Sequence, residues 1–187
     1  KRPSISFIIP DGHDFNRNFN LDIRVTNRNL TISTYNITNS SFDLLANNSN
    51  RTIFVTAFNW TDLINISNET KFPEGVYNIT VYARDDTGNN RTEYNFFRVD
   101  RTYPNVTPVY PQDKFNTSST SIEFNFTAID NFDLHMLCNI TIDGLIAAQN
   151  INATNKTITN VTIAGIDEGY HLWNVSCEDN AGNRNIS

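Results

Sequence analysis

Apolar and polar residues alternate with a period of two along most of this chain. Phe19, Leu21, Ile23 and Val25 share one parity, as do Tyr77, Ile79, Val81 and Ala83, then Ile122, Phe124, Phe126 and Ala128, and finally Trp173, Val175 and Cys177. Successive side chains of an extended strand point to opposite faces, so each run puts one face into a core and the other into water. The alternation predicts strands at about 4–9, 19–26, 30–38, 42–46, 52–58, 75–84 and 91–99. A second set is predicted at about 105–110, 120–128, 134–142, 145–149, 157–163 and 170–178. Gly, Asn, Asp and Pro fill the gaps, and no helical period interrupts them. The fold class that follows is all-β, an antiparallel sandwich of about seven strands, written twice.

The doubling is visible in the letters. "EGYHLWNVSCEDNAGN" (168–183) lies without a gap on "EGVYNITVYARDDTGN" (74–89), and "PNVTPVYPQD" from Pro104 lies on "PSISFIIPDG" from Pro3. A chain of 187 residues so repeated divides into domains at 1–100 and 101–187, with the boundary near Asp100 to Tyr103. The linker "VDRTYP" has no glycine and ends in a proline that fixes its own φ and restricts its neighbour. The expectation is a semi-rigid rod of ~70 Å, from strands of roughly 10 residues at about 3.3 Å each. The ends differ: "RTEYNFFRV" follows Gly88-Asn89, but only "RNIS" follows Gly182-Asn183, so the second domain lacks most of its last strand. Unpaired backbone and core are then covered by a chain continuing past Ser187, or by a strand from a neighbouring copy.

Asparagine changes the picture. The chain has 30 Asn and 33 Ser plus Thr, for which chance gives about five Asn-x-Ser/Thr triplets. There are nineteen, at Asn29, Asn36, Asn39, Asn47, Asn50, Asn59, Asn65, Asn68, Asn78, Asn90, Asn105, Asn116, Asn125, Asn139, Asn152, Asn155, Asn160, Asn174 and Asn185. A biased composition accounts for the five; the excess points to a secreted chain carrying covalent N-glycans. Asn78, Asn125, Asn139 and Asn174 fall on the outward parity of their strands, where any polar residue, glycosylated or not, is placed. Charge adds exclusions. With 14 basic and 20 acidic side chains, net −6, and no cluster of Lys or Arg, neither nucleic acid nor an anionic membrane is an expected partner. No apolar run is long enough to insert into a bilayer.

Gly75, Tyr77, Ile79, Val81, Ala83, Asp85, Gly88 and Asn89, repeated as Gly169, His171, Trp173, Val175, Cys177, Asp179, Ala181, Gly182 and Asn183, form a pattern with known relatives. It resembles the penultimate strand and hairpin of tandem immunoglobulin-like repeats in prokaryotic surface proteins. With "DRTYPNVTPVYPQD", "IDNFDLHMLCNITIDG" and "WNVSCEDNAGN", the second domain is most similar to the cysteine-containing version in archaeal surface proteins. Nearly the whole chain is covered; the departures are the missing cysteines in domain 1 and the short last strand of domain 2. The resemblance implies an extracellular, cell-surface, non-enzymatic protein. Its segment would serve as a rod in a stalk, surface layer or filament, with neighbouring copies or further repeats as partners, and strand donation as one route to a polymer. An adhesin or receptor-type binding module is the alternative, and ancillary domains of a larger secreted enzyme a third.

Candidate chemistry is sparse. Cys138 and Cys177 are the only cysteines, on inward parities of the third and sixth strands of one domain, which are neighbours in a sandwich. They suit a disulfide, and oxidised cysteine suits an extracellular site. The alternative, a nucleophile activated by His171, needs a partly exposed thiolate and an orienting third group. Laying "YNIT" on "CNIT" puts Tyr35 opposite Ala83 where the second domain has its cysteines. Asp11, Asp85, Asp86 and Asp179 lie in or near turns, where carboxylates bind calcium or, more simply, hydrogen-bond their own backbone. His13, His135 and His171 have no zinc-ligand spacing. No cofactor is expected. Aromatic faces stack on sugars, but Trp173 reads as a core residue, and a sugar platform at Trp60, in the triplet "NWT" near a strand end, is the lesser alternative.

Overall fold

The computed structural model describes residues 1–50 and 55–187, with the side chain of Asn50 also outside the described set. The chain forms two compact units, Lys1–Arg101 and Thr102–Ser187. The first contains β1 (Ser4–Ile9), β2 (Asp14–Phe15), β3 (Phe19–Asn20), β4 (Asp22–Thr38), β5 (Leu44–Asn50), β6 (Val55–Trp60), β7 (Leu63–Ile64), β8 (Gly75–Asp85) and β9 (Asn90–Val99).

Strand β4 organises this unit. The alternation predicts two strands broken at Asn27–Asn29, but one strand of 17 residues runs through. The side-chain amides of Asn27 and Asn29 donate to Asp85 (3.0 Å) and Asp86 (2.8 Å), which keeps the polar triplet extended. Register shifts between Thr26 and Leu30 and between Leu30 and Ile32 let the strand change partners. Its first half pairs with β1 and β6, its second with β5 and β8, and β9 follows on β8. One strand thereby belongs to both layers of the sandwich. Leu21, Ile23, Val25, Ile37, Ile79, Val81 and Phe97 fill the space between, each at most 1% exposed. Phe15, Phe19, Phe97 and Tyr77 continue the core as a chain of ring contacts, with centroids 3.9 to 5.3 Å apart from one ring to the next.

Two other strand boundaries move. Strand 42–46 starts at Leu44 because Asn39 Oδ1 accepts from the N–H of Ser41 and of Asp43, both at 2.9 Å, and Phe42 takes φ 65°. The strand expected at 52–58 falls partly on residues 51–54, outside the described residues; β6 is its remainder.

The second unit contains β10 (Asn105–Tyr110), β11 (Ser121–Ile129), β12 (His135–Ile142), β13 (Leu145–Thr154), β14 (Ile158–Ala164), β15 (Trp173–Glu178) and β16 (Arg184–Ile186). Its layers are separate sheets, β10-β11-β14 and β13-β12-β15-β16, closed over Phe124, Phe126, Ala128, Met136, Ile140 and Val175. β13 runs five residues past its expected end, to Thr154. β15 starts three residues late. Asp143 Oδ1 accepts from the Leu172 N–H at 2.8 Å, while His171 bridges Asp143 Oδ2 at 2.6 Å and the Asp167 carbonyl at 3.0 Å, holding 167–172 as a loop. β16 pairs with Ser176 to Glu178 over three residues, against the ten-residue β9 of the first unit. Among the described residues no helix is long and apolar enough to cross a membrane.

Candidate functional site

Cys138 and Cys177 face each other across β12 and β15 and are bonded, with S–S 2.05 Å. Both are at most 1% exposed. A buried, oxidised pair offers no thiolate, and both ring nitrogens of His171 have other partners, so the Cys-His arrangement is not formed.

In the first unit the equivalent space is filled differently from the expectation. The register puts Ser33, not Tyr35, opposite Ala83, and Tyr35 opposite Val81, because pairing follows the backbone ladder rather than the repeated letters. Trp60 then enters from β6. It is 3% exposed, donates Nε1–H to Ser33 Oγ at 3.0 Å, and sits edge-on to Tyr35 with centroids 5.1 Å apart. Tyr35 in turn donates its hydroxyl to Asp62 Oδ2 at 2.8 Å; burial first, and then that bond, lift its pKa well above the ordinary phenol. Trp60 is therefore a core residue and no platform for a sugar. The sequence signal was its shared parity with Phe58, an i, i+2 pair. Trp173 packs edge-on against Phe124 (5.0 Å) at the margin of the second core.

The repeated turns carry the buried carboxylates. Gly88 and Gly182 take φ 82° and 84°, which L side chains adopt only at a cost, and their N–H groups donate to the carbonyls of Asp85 and Asp179. Asp85 Oδ1 accepts from the N–H of Thr87 (3.1 Å) and Asn89 (2.8 Å), and its Oδ2 accepts from the amides of Asn89 and Asn27, both at 3.0 Å. Burial alone would raise this carboxyl, but the hydrogen bonds outweigh it and hold the pKa at about 2. Among the described residues the Asp179 carboxylate accepts two bonds, both from Asn183, and burial pushes its pKa up, with Asp130 and Asp133 adding to the effect. The reason is local. Where continuous β4 offers neutral amides, the loop between β11 and β12 offers Asp130 and Asp133, both buried. Asp133 accepts from the backbone and side-chain N–H of Asn180. Asp130 Oδ1 accepts from Phe132 and Asp133, and its Oδ2 is buried without a hydrogen-bond partner among the described residues.

A depressed carboxyl pKa stabilises the fold above the unfolded value of about 4, and this contribution is lost as pH falls toward the folded value. The urea midpoint of the first unit, read from Trp60 fluorescence in a Trp173→Phe background, should therefore drop between pH 4 and about 2. Asp85→Asn should lower the midpoint at pH 6 and flatten that drop; an unchanged pH slope in the variant would count against Asp85 as its source.

Of the nineteen Asn-x-Ser/Thr asparagines, eighteen have described side chains. Twelve are exposed, and Asn29, Asn39, Asn125, Asn139, Asn155 and Asn174 are half-buried. Asn78 stands outward and exposed, whereas Asn125, Asn139 and Asn174 are only half exposed, and Oδ1 of Asn125 and of Asn174 is buried without a partner among the described residues. In each unit two triplets interlock across one strand pair. Asn36 faces Thr80 while Thr38 faces Asn78, and Asn139 faces Ser176 while Thr141 faces Asn174.

No family model matches the chain, and no curated protein matches it. Solved structures do. Red sea bream transglutaminase is 7% identical over 100% of this chain and 31% of its own, with TM-score 0.47. The FN1–FN3 domains of chicken CNTN1 are 12% identical over 100% of this chain and 64% of theirs, at 0.42. Murine CEACAM1b is 14% identical over 94% of this chain and 92% of its own, at 0.42. The chain thus spans less than two thirds of the first two. The immunoglobulin-like sandwich stands on the strand pairing described above.

The outward face of β13-β12-β15 in the second unit holds a shallow groove of about 480 Å³. Leu137, Asn139, Asn152, Ser176, Glu178 and Arg184 line it, with Arg184 donating to Ser176 Oγ at 3.0 Å. Its polar walls include two triplet asparagines, with the His135 imidazole at one side.

Proposed function

We propose that this chain is a segment of an N-glycosylated extracellular surface protein, prokaryotic and most similar to archaeal examples. Its two immunoglobulin-like units are structural modules of a stalk, surface layer or filament. The observation that carries this is the excess of acceptor triplets, nineteen where about five are expected, most of them exposed on strands and turns. The buried disulfide supports it, since such bonds persist in oxidising compartments. So does the chemistry of the surface: Asn, Ser and Thr fill the outward positions, and Lys and Arg are few. Modules of this kind act mechanically. A stiff sandwich sets reach, the disulfide pins one of them, and sugars on outward faces shield strands from proteases and from pairing with one another. Neighbouring copies or further repeats of the same protein are the partners. A binding module is the second reading, favoured by the groove of the second unit; sugars on Asn139 or Asn152 would stand over it.

The test is mass spectrometry of the protein from its source before and after chemical removal of sugar, with electron microscopy of the same material. Several glycans per chain and an ordered assembly are expected. Unmodified peptides throughout, from isolated single chains, would sink the proposal.

A further inference from the structure

The acceptor triplets are not equivalent, because attaching a sugar replaces one of the two hydrogens on an asparagine Nδ2. An asparagine whose Nδ2 donates one hydrogen bond in the fold can keep that bond and carry a glycan. One that uses both hydrogens cannot. Asn29, Asn39, Asn125 and Asn185 each donate once through Nδ2, to Asp86, Asp43, Glu123 and the Pro104 carbonyl. Asn155 donates twice, to the carbonyls of Asp130 at 2.8 Å and Asp133 at 2.7 Å. Its Oδ1 also accepts from the Asp130 N–H at 3.1 Å, and its own N–H donates to the Leu134 carbonyl at 2.8 Å.

We propose that Asn155 is a sugar-free acceptor triplet whose amide instead fastens the loop between β11 and β12 of the second unit. The inference rests on the glycoprotein proposal for its contrast with the other triplets, but the role of the amide stands apart from it. The order of events does not matter. A glycan added before folding would leave the Asp130 or the Asp133 carbonyl without its donor, and one added after folding would find no hydrogen to replace without opening the loop. This loop has no counterpart in the first unit, where β4 runs straight through. It carries Asp130 and Asp133, so a misplaced backbone here would disturb two buried carboxylates. Asn155 must also remain an amide: an aspartate there would lose both donors and add charge beside them.

Two measurements decide it. The first is glycopeptide fragmentation that localises sugar to single asparagines in the native protein, with Asn152, exposed and three residues away, as the comparison. Sugar on Asn152 and none on Asn155 is expected; sugar on Asn155 overturns the proposal. The second is thermal unfolding of the full chain as Asn155→Asp, Asn152→Asp and Thr157→Ala. Asn155→Asp should lower the second unit's Tm by about 5 °C or more, on the scale of roughly 4–8 °C per kcal/mol for a unit of this size. The other two should shift it by less than about 2 °C on the same scale, because Thr157→Ala destroys the triplet and leaves the amide in place. An Asn155→Asp variant as stable as Asn152→Asp overturns the fastening role. If no asparagine carries sugar, the glycoprotein proposal fails by itself, and the unfolding comparison still decides what Asn155 does.

Discussion

Replacing Cys138 and Cys177 by serine lowers the stability of the second unit by about 4 kcal/mol and leaves the first unchanged, on the following grounds. The bond closes a loop with a sequence separation of 39. In the chain-entropy picture, freeing a loop of that length gives the unfolded ensemble about 4 kcal/mol, less any native-state strain that breaking the bond relieves. The two serines would also place hydroxyls at the centre of the second core, among Ala153, Met136 and Val175, so the loss should not be smaller. Hydrogen–deuterium exchange in mild urea reads the units separately, peptide by peptide. Faster exchange in β12 and β15, with β4 and β8 unaffected, is the expected result. A loss below about 1 kcal/mol, or an equal loss in both units, would show that packing alone holds the second sandwich.

The first unit has no such bond, and Trp60→Ala should cost it about 3–5 kcal/mol, the range for deleting a large buried ring. Trp60 touches Tyr35 and Phe58 through edge-on ring contacts, and its N–H satisfies the buried Ser33 hydroxyl. Alanine would leave a cavity and an unsatisfied oxygen together. Trp60→Phe keeps most of the ring and loses the hydrogen bond, so it should fall between wild type and alanine. Calorimetry of the full chain checks both variants: the transition of the first unit should move while that of the second stays. Equal and small shifts for the two variants would mean that the disulfide's place in the first unit is held by other residues.

Together these predictions describe one architecture secured in two ways. In the second unit a covalent bond joins neighbouring strands of one sheet. In the first, a tryptophan from one layer reaches residues of the other. The same divergence appears in the turns. Hydrogen bonds hold the Asp85 carboxyl low, whereas burial, with Asp130 and Asp133 adding to it, pushes Asp179 up, so the pKa of the aspartate in the repeated Asp-x-x-Gly-Asn motif is shifted in opposite directions in the two copies.

Alternation was enough to determine the all-β sandwich, the middle of most strands and two inward cysteines placed to pair, because burial on one face of a strand imposes a period that the letters display directly. The nineteen acceptor triplets are equally plain in the chain. The merging of two predicted strands into β4 was not, since it depends on Asp85 and Asp86, more than fifty residues away, satisfying Asn27 and Asn29. Nor was the burial of Trp60, whose partner Ser33 is set by a register that no local pattern specifies. Asn155 shows the limit most clearly. Its triplet reads like the other eighteen, and only the folded loop brings two carbonyls to its amide. Local sequence decides which way a side chain faces; what it meets there is decided by residues distant in the chain, through hydrogen bonds and packing that exist only once both layers have closed.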